Sequence, residues 1–217
     1  MKKGAATASL SVGLKRKGRK YMDFEGKRIG FALTGSFCTF SKVMTELENL
    51  KNEGADIFPI MSETVWSTST RFGTNEEFIQ KVHSICQKDI IHDIKGAEPI
   101  GPKAFLDALI VAPCTGNTIS KIANGITDSS VTMASKANLR NRCPLIIAIS
   151  SNDALGANAK NIGSLLNAQN VYFVPFSQDD PIGKPDSLVA DMTKICKTLK
   201  YALDGKQLQP IIQVSGR

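Results

Sequence analysis

The residues of this chain best suited to chemistry stand in short, hydroxyl-rich loops, each directly after an apolar run. Thr34-Gly35-Ser36 closes the run KRIGFALT at 27–34, and Cys114-Thr115-Gly116-Asn117-Thr118 follows the run ALIVA at 108–112. Ser62 follows ADIFPIM at 55–61, and Asn152 follows LIIAIS at 145–150. A buried strand that ends in such a loop and feeds a helix leaves free backbone N–H groups at the C-terminal edge of a sheet. That edge is where open α/β sheets bind ligands, and a helix N-terminus there favours an anion. Ordinary helix capping by Thr115 or Asn117 accounts for the second loop taken alone. A loop of the same type after the first strand tips the reading toward a ligand site.

The loops also limit what the ligand can be. Thr34-Gly35-Ser36 has one glycine where a dinucleotide fingerprint has G-x-G-x-x-G, and neither loop carries the G-K-[ST] of a nucleotide-hydrolysing P-loop. A single tight turn with Ser36 suits one phosphate. The helix dipole contributes about 0.3–1 kcal/mol, or about 2 kcal/mol when partly buried. Micromolar binding needs about 8 kcal/mol. The remainder must come from hydrogen bonds and a flat apolar partner, so a mononucleotide with a large planar ring, FMN, fits better than a bare phosphate.

The elements that must position these loops alternate along the chain. A strand over 27–34 leads to a helix with Phe40, Val43, Met44, Leu47 and Leu50 on one face, stopped by Gly54. The strand at 55–61 completes a unit of about βαβ size. A helix over 76–88 carries Phe78, Val82 and Ile85 as its stripe, and 90–102 reads as irregular. The strand at 108–112 opens the second half. Helices at 119–124 and 129–141, a strand at 145–150, a helix at 157–169 and a strand at 171–175 come next, and a last helix at 187–203 is built on Leu188, Met192, Ile195, Leu199 and Leu203. This order predicts an α/β fold, a doubly wound, mainly parallel, Rossmann-like or flavodoxin-like sheet in three layers. The turn-rich segment 178–186 (QDDPIGKPD) reads as a mobile flap.

Composition narrows the class. At 217 residues, 42% hydrophobic and 22% charged, the chain suits one globular domain. No apolar run approaches the ~20 residues of a membrane span. The net charge of +7 is carried by Lys2, Lys3, Lys15, Arg16, Lys17, Arg19 and Lys20, because the other 20 basic residues face 20 acidic ones. The basicity therefore belongs to residues 1–21 and not to the fold at 22–217, which speaks against a nucleic-acid partner. This leader reads as disordered. It has the composition of a transit peptide, a nucleic-acid arm, or sequence upstream of a start at Met22, of which the last is preferred. Cys38, Cys86, Cys114, Cys143 and Cys196 form no C-x-x-C pair, which fits reduced cytosolic thiols and predicts no metal site. His83 and Cys86, three apart on a helix, read as surface and core.

Thr34-Gly35-Ser36, Ser62 and the run Ala112-Pro113-Cys114-Thr115-Gly116-Asn117-Thr118 through Asp128 together resemble the flavin-binding decarboxylase family. That family includes phosphopantothenoylcysteine decarboxylase and enzymes that oxidise peptide C-terminal cysteines. The resemblance covers most of 27–174. It implies FMN held by Thr34, Gly35, Ser36, Ser62, Cys114, Thr115, Asn117 and Thr118, often across a subunit interface, and hence a homo-oligomer. The family's catalytic histidine position falls on Pro99, and its carboxylate-contacting P-x-M-N segment falls on Ile149-Ser150-Ser151-Asn152, which retains Asn152.

The wider body, including Gly205-Lys206-Gln207-Leu208-Gln209-Pro210, resembles a flavoprotein-like branch of that family from spore-forming bacteria. Its members work with a separate nicotinamide-binding subunit, which carries NAD(P). The pair oxidises a dihydro or hydrated tetrahydro precursor to pyridine-2,6-dicarboxylate in the mother-cell cytoplasm. By this resemblance the chain is an oxidoreductase subunit, with Asn152 as its candidate catalytic residue, holding one substrate carboxylate beside the hydroxyls of Ser150 and Ser151. Asn152 as a turn residue capping the next helix is the competing reading. Decarboxylation of a cysteine conjugate, and a non-catalytic role supporting a partner's active site, are the alternatives for the whole chain.

Overall fold

The computed structural model describes residues 23–102 and 104–214. Met22 and the leader at 1–21 lie outside the described residues. The first strand, β1 (Arg28–Leu33), is buried along nearly its whole length and turns through a single 3-10 turn at Phe37–Thr39. Helix α1 (Phe40–Asn52) follows, with the expected stripe of Phe40, Val43, Met44, Leu47 and Leu50 all buried. Gly54 has φ +88°, a left-handed value that glycine adopts without strain, so it ends the helix and admits β2 (Asp56–Met61).

Helices α2 (Glu63–Ser67) and α3 (Asn75–Cys86) come next. Thr74 and Glu77 form a reciprocal capping box at the start of α3, and its buried stripe is Phe78, Val82 and Cys86, with Ile85 half-buried at the edge. Residues 90–102 are more ordered than their sequence suggests. They hold a short helix, α4 (Ile94–Ala97), capped by Asp93, and a 3-10 turn at Glu98–Ile100.

The second half begins with β3 (Ala108–Cys114), every residue of which is buried. It runs two residues past the expected end at Ala112. Proline supplies no N–H to a ladder and is tolerated in a sheet mainly at irregularities. Pro113 sits where the register against the next strand shifts between Val111 and Cys114. Helices α5 (Gly116–Ala123) and α6 (Ser130–Arg140), strand β4 (Leu145–Ser151), helix α7 (Ala159–Leu166) and strand β5 (Val171–Phe173) then follow.

The last segment departs from expectation. Instead of one helix over 187–203, the chain forms the short strands β6 (Phe176–Ser177) and β7 (Leu188–Ala190), a 3-10 turn at Met192–Lys194, and α8 (Ile195–Leu203). Asp191 breaks the apparent helix, because its carboxylate accepts the Thr193 N–H and caps the 3-10 turn. Leu188 is buried as expected, but on a strand.

The sheet order is β2-β1-β3-β4-β7-β6, with β5 also paired to β4. The pairings β1–β2, β1–β3, β3–β4 and β4–β5 are parallel, and β4–β7 and β6–β7 are antiparallel. Since β3 occupies one edge of β4, the other edge is shared. β5 takes Leu145–Ile147, and β7 takes Ser150 and Ser151. Helices α1 and α8 cover one face of this seven-stranded mixed sheet, and α5, α6 and α7 the other. The fold is flavodoxin-like α/β, wound outward in both directions from β1 and β3. Among the described residues no helix is long and apolar enough to cross a membrane.

Candidate functional site

A cleft of about 790 Å³ opens at the C-terminal edge of β1, β3 and β4. Its size lies within the ~300–1,000 Å³ of small-ligand pockets. Three groups of residues build it. Gly35, Ser36 and Cys38 come from the turn after β1, Thr115, Gly116 and Asn117 from the turn after β3, and Ser150 through Asp153 from the end of β4. The hairpin between β6 and β7 forms the fourth wall with Asp179, Lys184, Pro185, Asp186, Ser187 and Val189.

Thr34 ties the first two loops together. Its hydroxyl is buried, donates to the Pro113 carbonyl at 2.7 Å and accepts the Thr115 N–H at 3.1 Å. Thr115 in turn caps α5, accepting the Thr118 N–H at 3.3 Å and donating to the Thr118 hydroxyl at 3.0 Å. Helix capping and a cleft-lining position therefore coincide at Thr115. At the opposite lip, the hydroxyls of Ser36 and Ser150 are 2.7 Å apart, which joins the first loop to β4.

Below them lies a chain of polar side chains. The Ser151 hydroxyl donates to Asp153 Oδ1, and Asn158 Nδ2 donates to Asp153 Oδ2 at 2.9 Å. Asn161 Nδ2 then donates to Asn158 Oδ1 at 2.9 Å, and Asn124 Nδ2 to Asn161 Oδ1 at 3.3 Å. Gly116 must be glycine for this cluster to close against α5. A Cβ at that position would come within 2.6 Å of Asp153 Oδ1 and Ser151 Oγ, and within 2.8 Å of Asn158 Nδ2.

The hairpin wall is held by its own bonds. Asp179 accepts from the Ser187 hydroxyl at 2.6 Å and faces Lys184 Nζ at 3.5 Å. Burial pushes the Asp179 carboxyl up, but the Ser187 hydroxyl, its own backbone N–H and Lys184 together more than offset it and hold it below the ordinary carboxylate range. Gln178 Nε2 donates to the Pro185 carbonyl at 2.8 Å, and the Leu155 N–H to the Asp186 carbonyl at 2.9 Å, which fastens the hairpin to the turn after β4. Ile182 at its tip is 95% exposed.

Five of the sequence-predicted residues, Gly35, Ser36, Thr115, Asn117 and Asn152, line this cleft. Asn152 caps no helix, since α7 is entered at Asn158. Thr34, Cys114 and Thr118 stand behind the wall, all buried. Cys114 is fully enclosed, and burial drives its thiol pKa well up. Ser62 lies outside the lining and accepts the Val65 N–H as the cap of α2. Sequence reasoning had Gly116 only as a member of its loop and left Asp153 and the wall at 179–189 out of the candidate site, though all of them line the cleft. The hairpin had no sequence signal beyond its turn-forming residues, because the register of β7 on β4 is a tertiary fact. Among the described residues no group of three His, Cys, Asp or Glu side chains could hold a metal ion.

Three carboxylates face the cleft, Asp153, Asp179 and Asp186, against Lys184, and among the described residues no aromatic side chain lines it. The cleft offers hydroxyls, the two amides of Asn117 and Asn152, and the N-terminal turn of α5 to an anionic or hydroxylated ligand. Its broad apolar contact is limited to Val189 and Pro185.

The family model described as Flavoprotein matches residues 17–202. The B subunit of dipicolinate synthase from Bacillus subtilis (strain 168) is 48% identical over 188 residues, covering 87% of this chain and 94% of that protein. The crystal structure of the B subunit of dipicolinate synthase from Bacillus halodurans superposes with a TM-score of 0.83 at 46% identity, over 90% of this chain and 100% of the other. The FMN-dependent cysteine decarboxylase SpaF shares the fold alone, with a TM-score of 0.58 at 16% identity over 82% of this chain and 97% of the other.

Proposed function

The chain belongs to the flavoprotein family, and from that membership we propose that it is the flavin-bearing B subunit of a dipicolinate synthase. In this reading it oxidises dihydrodipicolinate, or its hydrated tetrahydro precursor, to pyridine-2,6-dicarboxylate together with the synthase's other, nicotinamide-binding subunit. The observation that carries the reading is the convergence of Ser36, Thr115, Asn117 and Asn152, from the ends of three strands, on one cleft, in a chain 48% identical to such a subunit.

The residues present fit a phosphorylated, hydroxylated cofactor such as FMN. Ser36 and Ser150 present paired hydroxyls, and the bare Cα of Gly116 lets Ser151 and Asp153 close under the first turn of α5. Ser36 and the first turn of α5 would hold the phosphate, and Asn117 the ribityl chain or the ring. When bound, the flavin supplies a two-electron acceptor. The chain's own residues orient the substrate. Asn152, exposed at the cleft beside Ser150 and Ser151, presents an amide N–H to one substrate carboxylate. The scarcity of broad apolar wall within one protomer fits a flavin ring completed by a second copy of the chain, and so a homo-oligomer.

A decarboxylase reading is weaker here. Pro99, at the position of the family's catalytic histidine, lies beside Phe58 and Phe105 and outside the cleft. A supporting, non-catalytic role is favoured by one observation, the cleft's carboxylates facing a single lysine. The purified chain decides between them. A flavin absorption band, with ring oxidation only after mixing with the nicotinamide-binding subunit, is the expected result. A colourless protein that takes up no added FMN yet still activates its nicotinamide-binding partner would replace this reading with the supporting role.

A further inference from the structure

Turning a dihydropyridine ring into an aromatic one releases a proton as well as a hydride, so the cleft needs a proton acceptor as well as a two-electron acceptor. Three of its side chains are carboxylates, and the structure separates them. Asp179 is committed to Ser187 at 2.6 Å and Lys184 at 3.5 Å. Asp186 stands on the exposed hairpin. Asp153 differs from both. Ser151 and Asn158 each donate to one of its oxygens, and no cation pairs with it among the described residues. Asn158 is 5% exposed and Asn161 7%, and their amides are bonded in series, so the carboxylate is held in one orientation from behind. Gly116 brings the first turn of α5 against Asp153 Oδ1, the oxygen that Ser151 bonds. Each carboxylate oxygen carries two lone pairs, and one donor on each leaves a position open.

We propose that Asp153 is the proton acceptor for ring aromatisation, with Ser151 and Asn158 as its positioning residues. This rests on the oxidation proposed above. In the step, one ring C–H bond breaks with its electron pair, which leaves as hydride to a flavin or nicotinamide. The proton on the adjacent ring atom passes to an Asp153 oxygen, and the electrons of that bond complete the aromatic ring. Asp153 is left as a neutral acid and returns its proton to water as the product departs. The other titratable groups around the cleft are Cys38 on the first loop and Asp179, Lys184 and Asp186 on the hairpin.

Two readouts test the assignment on the chain assembled with the nicotinamide-binding subunit. The first is turnover. A positioned general base contributes about 10²–10⁴-fold, so Asp153→Asn should lower kcat by that factor. The second readout needs no turnover. The Asp153 carboxylate opposes the charge of the product dianion, so Asp153→Asn should bind pyridine-2,6-dicarboxylate at neutral pH about tenfold more tightly than wild type in calorimetry. A folded variant with wild-type kcat and wild-type product affinity overturns the proposal. Should that variant not fold, wild-type kcat in both Ser151→Ala and Asn158→Ala overturns the assignment of a held carboxylate. A wild-type pair that oxidises no dihydropyridine at all refutes the functional reading, which keeps the two failures distinct.

Discussion

Replacing Thr34 by valine removes a hydroxyl that holds two loops while preserving side-chain shape. The hydroxyl is buried at 1% exposure, donates to the Pro113 carbonyl at 2.7 Å and accepts the Thr115 N–H at 3.1 Å. Valine leaves both backbone groups unmet. Each unmet buried group costs about 1–3 kcal/mol. Thr115 is only half-buried, so water satisfies its N–H in part, and the total falls near the lower half of the summed range, about 2–4 kcal/mol. Thr34→Ser keeps the hydroxyl and loses one methyl group, worth about 1 kcal/mol. For a chain of this size, 1 kcal/mol shifts Tm by about 2–4 °C. Thr34→Val should therefore melt roughly 4–16 °C below wild type and clearly below Thr34→Ser, which loses roughly 2–4 °C. Denaturant unfolding of all three proteins gives the free energies directly. Because Thr34 sets the spacing between the Ser36 and Thr115 loops, FMN affinity should also fall in Thr34→Val and hold in Thr34→Ser. Equal stability of the two variants would falsify the tie.

Gly116→Ala should destabilise the fold by about 1–3 kcal/mol through overpacking, despite alanine's better helix propensity, and urea unfolding reads it. A Gly116→Ala chain at least as stable as wild type would show that the Ser151–Asp153–Asn158 cluster yields. Ser36→Ala and Asn117→Ala should each weaken FMN binding by about 1–3 kcal/mol in a fluorescence titration, and unchanged affinity in both removes them from the cofactor site. Asn152→Ala should lower turnover of the assembled pair while FMN binding and Tm stay near wild type; a lower Tm with normal turnover would make Asn152 a structural turn residue. Asp179 has a depressed folded-state pKa, so its contribution is present above the unfolded value of about 3.9 and is lost as pH falls through the folded one. The stability difference between wild type and Asp179→Asn should thus be constant near neutrality, begin to shrink below about pH 4, and level off only once pH is below the folded-state value. Of the five cysteines, Cys38 is exposed and lines the cleft while Cys86 and Cys114 are buried. Burial pushes the Cys86 thiol up to about 12. A maleimide should label Cys38 first, bound FMN should slow that reaction, and rapid labelling of Cys114 would contradict the closed β3 edge.

Local pattern was enough for much of this protein. The stripe Phe40–Val43–Met44–Leu47–Leu50 is buried as its spacing requires, because helical period and burial are the same fact read twice. The alternation of apolar runs and helices implied a parallel, doubly wound sheet, since parallel neighbours need a crossover and helices supply it. That the loops after β1 and β3 share one edge of the sheet is legible because strand, hydroxyl and helix are contiguous in the chain, and both line the cleft. Three things were decided by tertiary contacts. β3 continues through Pro113 because a register shift against β4 accommodates a residue without an N–H. Leu188 to Ala190 form a strand because β4 still has an unpaired edge at Ser150 and Ser151 once β5 has ended, and open backbone groups there outweigh helical spacing. Asp153 became a held carboxylate because Ser151, Asn158 and the bare Cα of Gly116 meet around it. Gly116 and Asn158 are 42 residues apart in the chain, and no local periodicity encodes that meeting; it exists only once β3 and β4 lie side by side and α5 packs on α7.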